Sequence, residues 1–266
     1  MNRLCLLFVL FGLLLGQSAS ATTHVIISDG HSVYIGSDGL SSLEYGKLPP
    51  VCKLLTREHI VFLDWGHPVA YYPSDVDASK SVPILDFRKR ATEILRETLT
   101  PDATYKALAK AAIEQMQKVF DMGRSSRVHV PWTGKDLEAL NLGGLMIWIE
   151  NGKPQFRDLR VTPTDRAKGL FIAQSVDLPK MEINKPYSFP KKDYARGFQD
   201  IPELRHNPSF AQKHPFMLIE KCIDQIAKQP GESTKVGKPY ALARLTDKGV
   251  VWNAGKNLCV PTVAKR

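Results

Sequence analysis

The chain has 266 residues, 43% hydrophobic and 24% charged, with 36 Lys plus Arg against 27 Asp plus Glu and a formal net charge of +9. Those proportions are ordinary for a globular protein, without a low-complexity run, and the length fits one large domain with its own core or two small ones. The positive excess comes in short clusters such as Arg88-Lys89-Arg90 and Lys191-Lys192, which read as solvated faces, and no nucleic-acid motif accompanies it.

Met1 to Ala21 reads as a secretory signal. Arg3 supplies the positive start, Leu4 to Leu15 is an apolar stretch too short to span a bilayer, and Ala19-Ser20-Ala21 is the small-x-small pattern that signal peptidase cuts after. A retained signal anchor is the alternative. Removal leaves about 245 residues beginning Thr22-Thr23, with no further long apolar segment, so a secreted or periplasmic protein without a membrane span is expected. Cys5 leaves with the signal. Of Cys52, Cys222 and Cys259, a Cys222–Cys259 bridge would close a loop of 36 intervening residues and stabilise by roughly 4 kcal/mol. Three buried thiols are the other reading.

Thr23 to Ser28 is a β-rich run, Asp29-Gly30 a hairpin turn, and His31 to Gly36 its return strand. Ser41 to Pro50 is a polar loop. Val51 to Thr56 and His59 to Asp64 form a second hairpin around Arg57-Glu58. The period then changes. Phe87, Ala91, Ile94 and Leu95 share one face of a helix over 86–99, and Thr100-Pro101-Asp102 starts a second helix that runs to about Asp121. Strands return over Gly143 to Glu150, Gln155 to Val161 and Gly169 to Ser175, the first two joined by an Asn151-Gly152 turn. Pro179 to Pro208 is proline-rich and irregular. A helix over Pro215 to Lys228 stops at Pro230-Gly231, and Tyr240 to Leu245 with Val250 to Trp252 closes the chain as a hairpin. No repeat or linker appears, so residues 22–266 read as a single domain.

The chemistry concentrates at the start of the mature chain. Asp38, in Gly36-Ser37-Asp38-Gly39, lies 16 residues after Thr22, and Lys53 lies 15 further on. A threonine hydroxyl is a poor nucleophile and needs a base. An α-amine with a pKa of about 8 can serve as one when a nearby cation lowers it further. Alone, Asp38 reads as a turn residue and Lys53 as a solvent-facing strand lysine. Together the three are the parts of an N-terminal-nucleophile hydrolase. Neighbours on a strand face opposite ways, so Cys52 points away if Lys53 faces a cleft. There is no Gly-x-Ser-x-Gly elbow, no phosphate-binding glycine loop and no histidine pair at helical ligand spacing, so neither cofactor nor metal is expected.

Thr22-Thr23, the Asp-Gly turn, Tyr34-Ile35-Gly36-Ser37-Asp38-Gly39-Leu40-Ser41-Ser42, Val51-Cys52-Lys53-Leu54 and a strand ending at Gly66 resemble the start of proteasome β-subunits and their simpler bacterial peptidase relatives. The likeness is clearest over Thr22 to Gly66, under a fifth of the chain. It implies an α+β fold, the four-layer αββα sandwich. It also implies Thr22 as nucleophile, Lys53 as the neighbouring cation, Asp38 as its anchor and Gly66 as an oxyanion N–H donor. Leu40, Ser41 and Ser42 would hold substrate backbone by strand-like pairing. The Asp38-to-Lys53 gap is one residue shorter than the family usually shows, and Ala21 stands where proteasome precursors have glycine. Asp165 and Ser175 are candidates, by position, for the family's later supporting Asp and Ser. The expected partner is a peptide or small amide substrate. Proteasome relatives form rings, so a homo-oligomer is admitted; their ATP-driven unfoldases do not carry over to an exported protein. The rival reading is an exported binding or structural protein that keeps the fold without the reaction; a third is a small-amide acylase. The order of two hairpins and then two helices predicts that the helices at 86–99 and 102–121 cover the sheet containing Val25 and Val33. Because the signal peptide blocks the α-amine of Thr22, export is expected to be the activating step.

Overall fold

The computed structural model describes residues 23–43, 46–48, 50–66, 69–72, 82–125, 142–165, 168–176, 178, 181–190, 198–207, 209–229 and 236–259. Met1 to Ala21, expected to be a signal, and Thr22 lie outside these residues. The fold is α+β. Among the described residues there are two five-stranded antiparallel sheets and two short two-stranded ribbons.

In the first sheet, β1 (His24–Ser28) and β2 (Val33–Asp38) form the expected hairpin, and β12 (Tyr187–Phe189) pairs with β1. On the other side, β2 pairs with β13 (Tyr240–Thr246), which turns into β14 (Gly249–Ala254). The second sheet has the order β11 (Leu170–Val176), β10 (Lys153–Asp165), β9 (Leu142–Glu150), β6 (Ile60–Gly66) and β5 (Leu54–Arg57). Its β9–β10 turn is the Asn151-Gly152 pair, both at positive φ (51° and 71°), the geometry a two-residue hairpin turn demands. The Ser41–Pro50 stretch, expected as a loop, contains a ribbon of β3 (Ser41–Leu43) and β4 (Gly46–Leu48). A second ribbon, β7 (Val69–Tyr72) with β8 (Val82–Asp86), leads into the helices.

Helix α1 (Phe87–Glu97) is capped by Asp86, whose carboxylate accepts from Lys89 N at 3.0 Å. Helix α2 (Pro101–Ser125) starts with Pro at its first position and Thr100 Oγ1 accepting from Ala103 N at 3.3 Å. Two short helices, α3 (Pro202–His206) and α4 (Phe210–Lys213), precede α5 (Pro215–Ala227), and α6 (Lys256–Cys259) ends the described chain. Part of the stretch expected to be irregular is therefore β12 and α3. Among the described residues no helix is long and apolar enough to cross a membrane.

Three apolar clusters organise these elements. Ile26, Val33, Ile35 and Leu245 of the first sheet meet Leu54, Val61, Leu63, Leu145 and Ile147 of the second. Val25, Ile27 and Leu242, from the other face of the first sheet, pack on Leu218, Ile219, Cys222 and Ile223 of α5. Leu55, Phe62, Met146 and Leu159, from the other face of the second sheet, pack on Phe87, Ile94, Leu108 and Met116 of α1 and α2. The expected assignment of helices to sheets is thus corrected: α1 and α2 cover the second sheet, and α5 covers the strands of Val25 and Val33. Arg57 of β5 fastens this arrangement. Its guanidinium donates to the carbonyls of Leu95 and Thr98 at 2.7 and 2.8 Å, where the C-terminal end of α1 favours a cation.

Candidate functional site

The pairing of β1 with β2 sets His24 opposite Ser37, so the next residues outward, Thr23 and Asp38, face each other at the end of the first sheet. Asp38 N donates to Thr23 O at 3.2 Å, and Thr23 N donates to Asp38 Oδ1 at 2.8 Å. The second carboxylate oxygen, Oδ2, accepts from Lys53 Nζ, also at 2.8 Å. Neither side chain of this ion pair reaches solvent. The glycines around Asp38 serve packing: a Cβ on Gly36 would stand 2.1 Å from Ile219 Cγ2 of α5, and one on Gly39 would stand 2.5 Å from the Pro239 carbonyl. Gly39 also accepts from Val51 N at 3.0 Å, which draws the segment ending in Lys53 alongside Asp38.

Burial works on both members of the pair. Loss of water pushes the Asp38 carboxyl above its ordinary range and the Lys53 ammonium below its own. Their contact with each other opposes both shifts. The Lys53 ammonium therefore depends on its carboxylate partner to stay charged inside the protein.

Thr22, bonded to the nitrogen of Thr23, lies outside the described residues. Gly66 ends β6 opposite Leu142 with φ +86°, a backbone conformation that favours glycine. Ser41 and Ser42 lie in β3, one edge of which already pairs with Leu48 and Lys47 of β4. Leu40 is half-buried just before them. Asp165, at the β10–β11 turn, accepts from Lys168 N at 3.1 Å, and Ser175, on edge strand β11, stands opposite Leu159 of β10. Both belong to the β10–β11 hairpin.

Neither a protein-family model nor a curated protein matches the chain.

Three buried or half-buried groups beside the pair were not picked out from the sequence. His24 Nε2 donates to the Asp64 carbonyl at 2.9 Å, and burial drives the imidazole pKa down to about 3, so the ring is neutral. The Asp64 carboxylate, fully buried, accepts from Arg88 Nε at 2.7 Å through Oδ2. Arg88 belongs to the basic cluster expected to be a solvated face, yet its side chain is only 12% exposed. The available signal was Asp64 itself, a carboxylate inside the apolar run Ile-Val-Phe-Leu-Asp-Trp. Among the described residues no group of three or more His, Cys, Asp or Glu side chains is placed to hold a metal ion.

The expected Cys222–Cys259 bridge is corrected. The disulfide joins Cys52 to Cys259, with Cα atoms 4.8 Å apart and a sequence separation of 207. Cys222 is a buried thiol on the face of α5 that packs on the first sheet, and burial raises its pKa. Its position is committed to that core, whereas α6 brings Cys259 to the residue preceding Lys53. The same short helix sets Leu258 Cδ1 3.5 Å from where a Cβ of Gly39 would stand. The chain neighbours of both Asp38 and Lys53 are therefore held by α6.

Proposed function

We propose that this chain is an exported threonine-type N-terminal-nucleophile hydrolase that cleaves amide bonds, with peptides as the first substrate class to test. The observation that carries the reading is the bridging carboxylate of Asp38, which holds the N–H of the residue after Thr22 and the ammonium of Lys53, each at 2.8 Å. The three apolar clusters support taking the fold as the four-layer αββα sandwich of proteasome-like hydrolases, with one helical layer outside each sheet. The disulfide fits an oxidising compartment, in keeping with export.

On this reading signal removal frees the α-amine of Thr22. The amine takes the hydroxyl proton as Thr22 Oγ attacks the substrate carbonyl carbon. The C–N bond breaks, the proton passes to the leaving nitrogen, and the acyl group stays on Oγ as an ester. Water then hydrolyses that ester, releasing the acid and restoring the hydroxyl. Lys53, held by Asp38, keeps the amine pKa low enough for it to act as base near neutrality. Gly66 presents its N–H to the oxyanion.

The test compares protein beginning at Thr22 with its Thr22→Ala and Asp38→Asn variants on a panel of fluorogenic peptide amides and small acylated amines. The expected outcome is hydrolysis in the first and loss of at least 100-fold in both variants, the order of effect seen when a nucleophile or its base is removed. Hydrolysis that survives Thr22→Ala would retire the mechanism, and peptide binding without cleavage would favour a binding protein.

A further inference from the structure

We infer that Asp64, clamped by Arg88, is a positioning residue for Lys53: a second buried carboxylate that, with Asp38, sets the charge state of that lysine. The role in catalysis rests on the hydrolase reading above; the effect on Lys53 does not.

The β5–β6 register pairs Leu54 with Leu63. That pair is the last of the ladder, and Lys53 and Asp64 are its chain neighbours on the two strands, both buried. Asp64 is on the same side of β6 as Phe62, which packs under α1, and that is where Arg88 reaches it from the first turn of the helix. The network then runs on from the Asp64 carbonyl to His24, from His24 along the chain to Thr23, and from Thr23 N to Asp38, which returns to Lys53. Asp38, Lys53 and Asp64 are each at most 1% exposed.

A buried carboxylate inside an apolar strand is costly unless it is compensated. Arg88 occupies Oδ2, while Oδ1 has no hydrogen-bond partner among the described residues. A purely structural clamp would not need to sit within electrostatic reach of a buried lysine. Among the described residues, Asp38 from β2, Asp64 from β6 and Arg88 from α1 act on Lys53, and the neutral His24 of β1 lies within their field. The two carboxylates favour the ammonium, and the guanidinium disfavours it.

Opposite signs make this testable. Direct 15N NMR of Lys53 Nζ, followed against pH in full-length mature protein, reads its charge state without any substrate. Asp64→Asn, close in shape, should lower the Lys53 pKa by about one unit, and Arg88→Gln should raise it. If one variant fails to fold, the sign of the other still decides. Shifts in these directions support the inference; shifts of the same sign in both, or none, overturn it. Activity separates the two readings. If the mature protein hydrolyses amides, the limb of the pH–rate profile that follows Lys53 should move with the NMR value. If it does not hydrolyse them while Lys53 still responds with both signs, the hydrolase reading falls and the Asp64–Lys53 coupling stands.

Discussion

Asp38 and Lys53 exchange their hydration shells for contacts inside the protein. Such a pair contributes little net stability, but removing one partner strands the other charge, at about 3–5 kcal/mol. Lys53→Met should therefore lower unfolding free energy by roughly that amount in urea denaturation, and adding Asp38→Asn should recover much of it. A Lys53→Met protein as stable as its parent would mean the pair is not the buried contact described here. His24 gives a second, separable signal. Its folded pKa of about 3 lies below the unfolded value of 6.5, so the unfolded chain binds the extra proton between them. Stability is full above the unfolded value and falls as pH drops through that window, by at most about 1.4 kcal/mol per unit. His24→Asn should remove this slope, read as the difference between the two proteins' denaturation midpoints from pH 6.5 to 4. An unchanged difference would show that His24 is not held neutral. The Asp38–Lys53 partnership was legible in the sequence because the spacing of Gly36 to Gly39 and Lys53 resembled a known arrangement. Asp64 and Arg88 were not, because a strand-end aspartate and a basic cluster usually mean solvent, and the ion pair that joins β6 to α1 is a tertiary contact.

At the scale of elements, the expected hairpins and main helices form near their expected bounds, since turn residues, caps and helical periodicity are local signals. Which sheet each helix covers is not local. His-Val-Ile-Ile in β1 and Ile-Val-Phe-Leu in β6 are apolar on both faces, because each strand packs on the facing sheet on one side and on helices on the other. Neither strand carries the alternation that marks an outer face, so α1 and α2 could be given the wrong sheet. The disulfide was out of reach for a similar reason, as chain separation says nothing about which thiols meet. Its closure of a 207-residue span predicts that Cys259→Ser lowers unfolding free energy by about 2–5 kcal/mol. The same variant should loosen the Lys53 segment, seen as faster amide exchange at Val51 and Leu54 than in β9. Equal exchange before and after would separate α6 from the site.

At the scale of the whole molecule, two sheets, their helices and one covalent clasp converge on the end of β2, where the mature chain is proposed to begin. The central claim is that Thr22 with a free α-amine reacts there as a nucleophile. A peptide epoxyketone tests it most directly, because its stable adduct requires a hydroxyl and an amine on the same residue. Protein beginning at Thr22, the same protein preceded by Met-Ala, and Lys53→Ala are each incubated with a panel of such compounds and weighed intact. The account predicts one adduct on the first protein, mapped to Thr22 by fragmentation, and none on the other two. An equal adduct on the extended protein, or none on the protein beginning at Thr22 across the panel, would contradict it.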